Sequence, residues 1–87
     1  SEVPVLPEVY VFPNPARARI HISVREVSSN AGRLQIYNTA GQRIKESAMV
    51  SGMNEYEIEV SGWQSGIYFY VIYLNDGRMM NGKFVVE

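Results

Sequence analysis

Hydrophobic and polar residues alternate along most of this chain with the period of two that is typical of β-strands. The clearest case is residues 19–25. Their aliphatic side chains, Ile20, Ile22 and Val24, fall on one face, and polar side chains fall on the other. Turn residues interrupt the alternation about every ten residues, and no segment has a helical period. The pattern therefore predicts seven strands, at residues 8–12, 19–25, 33–37, 42–50, 55–60, 66–74 and 78–87.

The segment 66–74 is unusual because it has no polar face. Its glycine is followed by eight consecutive apolar or aromatic residues, far fewer than the roughly 20 that a membrane-spanning helix needs. A strand of this kind must be covered on both sides. We therefore predict that it lies in the middle of a sheet, with one face on the core and the other against a second layer or a partner. The first face is Tyr68, Tyr70, Ile72 and Leu74, and the second is Ile67, Phe69, Val71 and Tyr73.

Three short segments predict tight connections between strands. Residues 13–16 should form a stiff corner, because each of the two prolines fixes its own φ angle and favours an extended residue before it. Residues 38–41 predict a type I turn that ends on a left-handed Gly41. Asp76 and Gly77 predict a two-residue hairpin, so that the last two strands pair antiparallel.

The strands that follow the last two turns have predicted faces. On the strand 42–50 the apolar positions are Ile44, Ala48 and Val50. On the strand 78–87 the inward positions are Met80, Phe84 and Val86, and the outward positions are Met79, Lys83, Val85 and Glu87.

The length and composition allow one globular domain. The 87 residues are 46% hydrophobic and 20% charged, which is ordinary for a folded domain. Residues 1–7 carry two of the four prolines and predict a linker to an upstream parent domain. Residues 8–87 then predict an all-β fold, an immunoglobulin-like antiparallel β-sandwich of about seven strands. The net charge of −1 favours neither nucleic acid nor a membrane as a partner, and the absence of cysteine excludes thiolate chemistry and disulfides.

Residues with catalytic or metal-binding chemistry are few. The single histidine, His21, falls on the solvent face of its strand between two arginines, whereas a general base needs a partner carboxylate and a cleft. Ser61 and Ser65 flank glycines in an order that differs from a nucleophile elbow. Three carboxylates on one strand face, Glu55, Glu57 and Glu59, are more typical of a solvated surface than of a cation site. We therefore predict a non-catalytic domain without a metal or a cofactor.

The aromatic residues leave two interpretations open. Both faces of the strand 66–74 cannot share one sandwich interior. Its second face therefore lies either under other parts of the chain or outward, where it would be a binding surface.

Four segments together resemble the C-terminal sorting domain (type A) of type IX (Por) secretion system cargo. The resemblance covers residues 10–87, and each segment stands in the order and spacing of that family. The segments are Phe12-Pro13-Asn14-Pro15-Ala16, the run from Leu34 through Gly41 to Ile44, Gly66-Ile67-Tyr68-Phe69-Tyr70-Val71, and Gly82-Lys83-Phe84-Val85-Val86.

The resemblance implies the C-terminal signal of an exported Bacteroidetes protein with an immunoglobulin-like fold. Such cargo passes through the periplasm, crosses the outer membrane and reaches the cell surface or the medium, and a sortase-like peptidase commonly removes the domain. Its implied partners are the secretion machinery, that peptidase and the upstream parent domain. The implied recognition residues are Gly66, Tyr68, Lys83, Phe84, Val85 and Val86, and the implied structural motif is Pro13, Asn14, Pro15 and Gly41.

One position departs from the family, and one alternative function stays open. Members often end in a basic residue, whereas this chain ends in Glu87, so removal and retention of the domain are both open. The alternative is an accessory β-sandwich that binds carbohydrate or packs on the catalytic domain of its parent. Trp63 would then be a candidate sugar-stacking residue.

Overall fold

The structure is a computed structural model that describes residues 8–25, 32–49, 55–75 and 77–87. Within these residues the chain forms seven strands, which confirms the predicted number. They are β1 (Glu8–Phe12), β2 (Arg19–Arg25), β3 (Gly32–Tyr37), β4 (Arg43–Met49), β5 (Glu55–Glu59), β6 (Gly66–Leu74) and β7 (Met79–Val86). Across this part of the chain, no helix has the length and apolar character to span a membrane.

The strands form two antiparallel sheets. One contains β1, β2 and β5 in that order, and the other contains β4, β3, β6 and β7 in that order. β6 thus lies between β3 and β7, which confirms that the apolar strand is in the middle of a sheet. Outside the strands, Ala16 makes a parallel bridge to Val86 of β7 and so connects the corner after β1 with the other sheet.

The core lies between the two sheets and consists of the inward side chains of both. On β2 the aliphatic residues Ile20, Ile22 and Val24 are fully buried, as the alternation predicts. Complete burial of each large apolar side chain stabilises the fold by roughly 1.5–3 kcal/mol. From the four-stranded sheet the core receives Leu34, Ile36, Met49, Tyr68, Tyr70, Ile72, Leu74, Phe84 and Val86.

The second face of β6 points away from this core. Ile67, Phe69 and Tyr73 are between 40% and 43% exposed, and Val71 is half-buried. The described residues place no further layer over them, so this face is presented outward. Of the two interpretations that the sequence leaves open, the structure therefore favours the outward surface. Met79 and Val85 of β7 are also exposed and lie on the same side of the sheet.

Two of the three apolar positions predicted for β4 are not core positions. Ile44 and Ala48 are exposed, whereas Met49 is buried; Val50 lies outside the described residues. The reason is the pairing with β3. Leu34 faces the core, so its partner Ser47 and, two residues on, Met49 face it as well. Lys45 pairs with Ile36, but Arg43 pairs with Tyr37, so Ile44 is an extra, unpaired residue that interrupts the alternation.

Gln35 is a second departure from simple alternation, because it is buried although it points away from the core. Its side-chain amide donates to a carboxylate oxygen of Glu46 across the sheet at 2.7 Å. Its carbonyl oxygen accepts from the Tyr37 hydroxyl at 2.6 Å. The hydrogen bond from Gln35 lowers the pKa of Glu46 below its usual 4.5, and Arg43 and Arg33 add to this effect.

We expect the replacement Glu46→Gln to destabilise the domain at neutral pH and to have a smaller effect in acid. Because folding lowers the pKa of Glu46, its contribution to stability is present above pH 4.5 and is lost as the pH falls through the folded pKa. Thermal unfolding of both proteins at about pH 7 and about pH 3 measures this difference. Glu55→Gln is the control, since Glu55 is exposed and makes no ion pair within the described residues. A destabilisation by Glu46→Gln that is equal at both pH values would contradict the expectation.

The turns agree with the sequence in part. The Gly41 amide donates to the Asn38 carbonyl at 3.1 Å, and Gly41 has a φ of 82°, which confirms the predicted turn. The last hairpin is longer than predicted. The Leu74 amide still donates to the Arg78 carbonyl at 2.9 Å, so more than two residues separate the last paired positions, and Gly77 has a left-handed φ of 94°. The predicted linker and Asp76 of the predicted hairpin lie outside the described residues.

Candidate functional site

The antiparallel pairing of β6 and β7 brings the implied recognition residues together. Gly66 pairs with Val86, and Tyr68 pairs with Phe84. The Tyr68 and Phe84 rings are stacked, with centroids 5.8 Å apart and an angle of 20° between their planes. Phe84 and Val86 are completely or almost completely buried. The inward half of the implied site is therefore part of the core.

The outward half of the site is accessible. Lys83 is exposed and pairs across the sheet with Phe69, and Val85 is 37% exposed and pairs with Ile67. Lys83 makes no ion pair within the described residues. A partner that approaches this face would meet one uncompensated positive charge between apolar side chains.

The corner at residues 13–15 contacts the end of β7. The Asn14 side-chain oxygen accepts a hydrogen bond from the Val85 amide at 3.0 Å. The Ala16 amide donates to the Val85 carbonyl, and the Glu87 amide donates to the Ala16 carbonyl, both at 2.8 Å. We call these three hydrogen bonds the terminal latch. The peptide bonds that precede Pro13 and Pro15 are both cis.

The sequence did not indicate the contacts that two residues of this region make. Ala16 lies at the centre of the terminal latch and is fully buried. Arg17 forms an ion pair with Glu87 at 2.9 Å, although both side chains are largely in solvent. The partners are 70 positions apart in the chain, so no local pattern connects them.

We expect Asn14→Ala to destabilise the domain by about 0.5–1.5 kcal/mol, the usual net contribution of one hydrogen bond. The substitution removes the acceptor of the Val85 amide. Urea denaturation measures the change. Asn14→Asp keeps an acceptor oxygen and serves as the control. Equal stabilities of Asn14→Ala and the parent chain would show that this bond contributes nothing.

An open cleft lies at the end of the sandwich beside Gly66. Its volume is about 560 Å³, and Trp63 and Tyr68 line it together with Ile44 and Ile67. The two aromatic rings are 5.1 Å apart and tilted by 48°. The polar side chains that line the cleft are Asn38, Thr39, Gln42, Gln64 and Ser65.

The remaining candidate residues lie on the outer surface. The half-exposed His21 ring stacks on Phe12 with centroids 5.3 Å apart, and its Nε2 atom is 3.5 Å from a Glu57 oxygen. Arg19 lies 3.6 Å from Glu57 and 3.8 Å from Glu59, so the row of carboxylates faces cationic side chains. Ser61 and Ser65 are exposed in the loop before β6.

Comparisons with known proteins agree on this architecture. The model of the family described as secretion system C-terminal sorting domain matches residues 10–87. No curated protein is significantly similar to this chain.

The solved structures that are similar to this chain include the following three. A DUF3244 family protein from Bacteroides vulgatus with an immunoglobulin-like β-sandwich fold aligns with a TM-score of 0.74 and 15% identity, over 91% of this chain and 83% of that protein. Dimeric latent PorU from Porphyromonas gingivalis aligns with a TM-score of 0.69 and 21% identity, over 98% of this chain but only 10% of its own length. CopC from Methylosinus trichosporium aligns with a TM-score of 0.52 and 13% identity, over 92% and 94% of the two chains. The predicted immunoglobulin-like sandwich is thereby confirmed.

Proposed function

Since this chain belongs to the family of secretion system C-terminal sorting domains and is a type IX sorting signal, we propose that the export machinery reads it at the β6–β7 hairpin. The family match over residues 10–87 is the observation that carries this function. A domain of this family implies export to the cell surface or the medium. Recognition would use Lys83 and Val85 on the exposed face, while Gly66, Tyr68, Phe84 and Val86 hold the hairpin in shape.

Several finer steps belong to the same proposal. Residues 1–7 link the domain to an upstream exported protein, and the cargo passes through the periplasm before it crosses the outer membrane. A sortase-like peptidase then removes the domain or anchors the cargo. The similarity of fold to one part of latent PorU supports a shared place in this system. The domain itself performs no catalysis, binds neither metal nor cofactor nor nucleic acid, and does not insert into a membrane.

A reporter fusion tests the function. Residues 1–87 are attached to the C-terminus of a periplasmic reporter in a host with a type IX system. We expect the reporter outside the cell, and we expect deletion of residues 83–87 to keep it inside. Unchanged export after this deletion would overturn the proposal. Immunoblots of whole cells show that the shortened fusion is still made.

A surface variant separates recognition from folding, because the deletion also removes the buried Phe84 and Val86. The double variant Lys83→Ala, Val85→Ala changes two exposed side chains, so it should fold normally and still lose export. Lys45→Ala is the matched control, since Lys45 is an exposed lysine on β4 at the opposite edge of the sheet. Normal export of the double variant would remove Lys83 and Val85 from the recognition site.

The cleft beside Trp63 supports the second candidate, an accessory module that binds carbohydrate. Aromatic rings beside uncharged amide and hydroxyl side chains are suited to a neutral sugar. A glycan array with the purified domain tests it. Gln42→Ala is the informative variant, because it changes the exposed rim, whereas Trp63→Ala also removes a ring that packs on the core. An array without binding would exclude this function.

A further inference from the structure

The two outer strands of the four-stranded sheet are β4 and β7, and only part of β7 is covered along its open edge. The terminal latch occupies the amide and carbonyl of Val85 and the amide of Glu87. These groups point away from β6. In an antiparallel ladder, alternate residues of a strand point their backbone groups to the same side, so the amides and carbonyls of Met79, Asn81 and Lys83 also point away from β6.

This first half of the β7 edge is free. Among the described residues, no backbone hydrogen bond reaches Met79, Asn81 or Lys83 from outside the sheet. The free stretch is five residues long, from Met79 to Lys83, and therefore measures about 16 Å. We call it the open edge. Its three outward-facing residues offer amides and carbonyls for an added strand.

Two of the other three edge strands of the sandwich, β4 and β5, carry features that discourage strand addition. β4 contains Arg43, Lys45 and Glu46 together with the extra residue Ile44. β5 carries three exposed carboxylates. The open edge carries only one such feature, the single charged residue Lys83.

The side chains beside the open edge define what an added strand should contain. On the outer face, an apolar depression of about 460 Å³ lies against the edge, between Phe69 and Val71 of β6 and Asn81 and Lys83 of β7. On the inner face the buried Tyr70 ring lies over Gly82, which has no side chain of its own. An added strand would thus place every second side chain on the inner face beside Met80 and Gly82, and the side chains between them on the outer face beside the unpaired charge of Lys83.

We propose, on the basis of the proposed function as a sorting signal, that the open edge binds an extended segment of a secretion component in which apolar and acidic residues alternate. The segment extends the four-stranded sheet by one strand. Its apolar residues cover Gly82 and Met80, and an acidic residue pairs with Lys83. A second copy of this chain fits less well, because its β7 contains no acidic residue that could pair with Lys83. The residue after β7, Glu87, already forms an ion pair with Arg17.

Peptide binding tests this proposal directly on the purified domain. The probe is a blocked peptide of about seven residues, in which valine and glutamate alternate, and the control peptide has lysine in place of glutamate. We expect the glutamate peptide to slow hydrogen exchange at the amides of Met79, Asn81 and Lys83. The amides of Met80 and Gly82 already bond to β6 and should change little.

Two variants separate the backbone from the charge. Asn81→Pro removes one outward amide at an edge position that tolerates proline. It should weaken the binding of the glutamate peptide at least tenfold. Lys83→Glu should no longer bind the glutamate peptide and should bind the lysine peptide instead. This reversal of the binding preference can be measured even if Asn81→Pro does not fold. Thermal unfolding checks that both variants are folded.

The outcomes that overturn the proposal are distinct. The first two are that neither peptide binds and that both variants leave the binding of the peptides unchanged. The other two are that the glutamate peptide protects amides of other strands only, and that the free domain forms a dimer that protects the same three amides. In the reporter fusion, Asn81→Pro should reduce export. Normal export of Asn81→Pro, together with loss of export on deletion of residues 83–87, would reject the open edge and leave the sorting function standing.

Discussion

Replacing Phe84 with alanine is expected to lower the free energy of unfolding by about 3–5 kcal/mol. Phe84 is completely buried, and its ring stacks on Tyr68 with centroids 5.8 Å apart. The substitution removes the transfer free energy of a large side chain and leaves a cavity between the two sheets. It also removes an aromatic pair worth about 0.5–1.5 kcal/mol beyond its area. Small domains have about 5–15 kcal/mol in total, so much of the stability would be lost.

Urea denaturation followed by tryptophan fluorescence measures this effect, since Trp63 is the single tryptophan of the chain and packs on Tyr68. Val85→Ala is the matched control, because Val85 is the next residue and faces outward. It should change the stability by less than about 1 kcal/mol. A midpoint for Phe84→Ala that is no lower than that of Val85→Ala would mean that the end of β7 does not support the core.

Gly32→Ala should be nearly as damaging, with a loss of about 3 kcal/mol, the upper end of the usual cost of overpacking. A Cβ atom at Gly32 would overlap the carbonyl oxygen of Tyr73, and it would lie 2.9 Å from the Tyr73 carbonyl carbon and 3.1 Å from the Leu74 Cα atom. All three are backbone atoms of the paired strand β6. They cannot rotate away as a side chain can, so the pairing of β3 with β6 must shift.

Gly41→Ala is the comparison for this experiment. Gly41 has a φ of 82°, and the space where a Cβ atom would lie is open. The cost there is conformational alone, about 1–2 kcal/mol. Thermal unfolding of both variants should therefore show the larger decrease for Gly32→Ala. The reverse order would indicate that the β3–β6 pairing adjusts easily to one additional carbon.

Local pattern was sufficient for much of the fold. The alternation in β2 predicted the buried set of Ile20, Ile22 and Val24, and the uninterrupted apolar run of β6 predicted a central strand. Both succeed because a side chain in a strand points to one of two faces according to its position alone. The alternation failed in β4, where pairing with β3 leaves Ile44 without a partner residue and buries Met49. An unpaired residue of this kind depends on the neighbouring strand, which the sequence of β4 does not contain.

The candidate site divides in the same way. The residues from Lys83 to Val86 and their inward and outward faces were predictable, because β7 alternates and follows a turn. The terminal latch was not, since Asn14 and Ala16 meet Val85 and Glu87 only when the two sheets have packed. Gln35 is similar, as its burial depends on hydrogen bonds to Glu46 and Tyr37 on the outer side of the sheet.

By itself, the sequence determined where the seven strands lie and which face of β6 and β7 turns inward, because these properties follow from the order of neighbouring residues. Only the tertiary structure decided which strands are partners, that the corner at Asn14 covers the end of β7, and that the stretch from Met79 to Lys83 stays open. Those features are contacts between residues as far as 71 positions apart. They arise when burial of the common core brings the two sheets together, so the local periodicity of the sequence does not predict them.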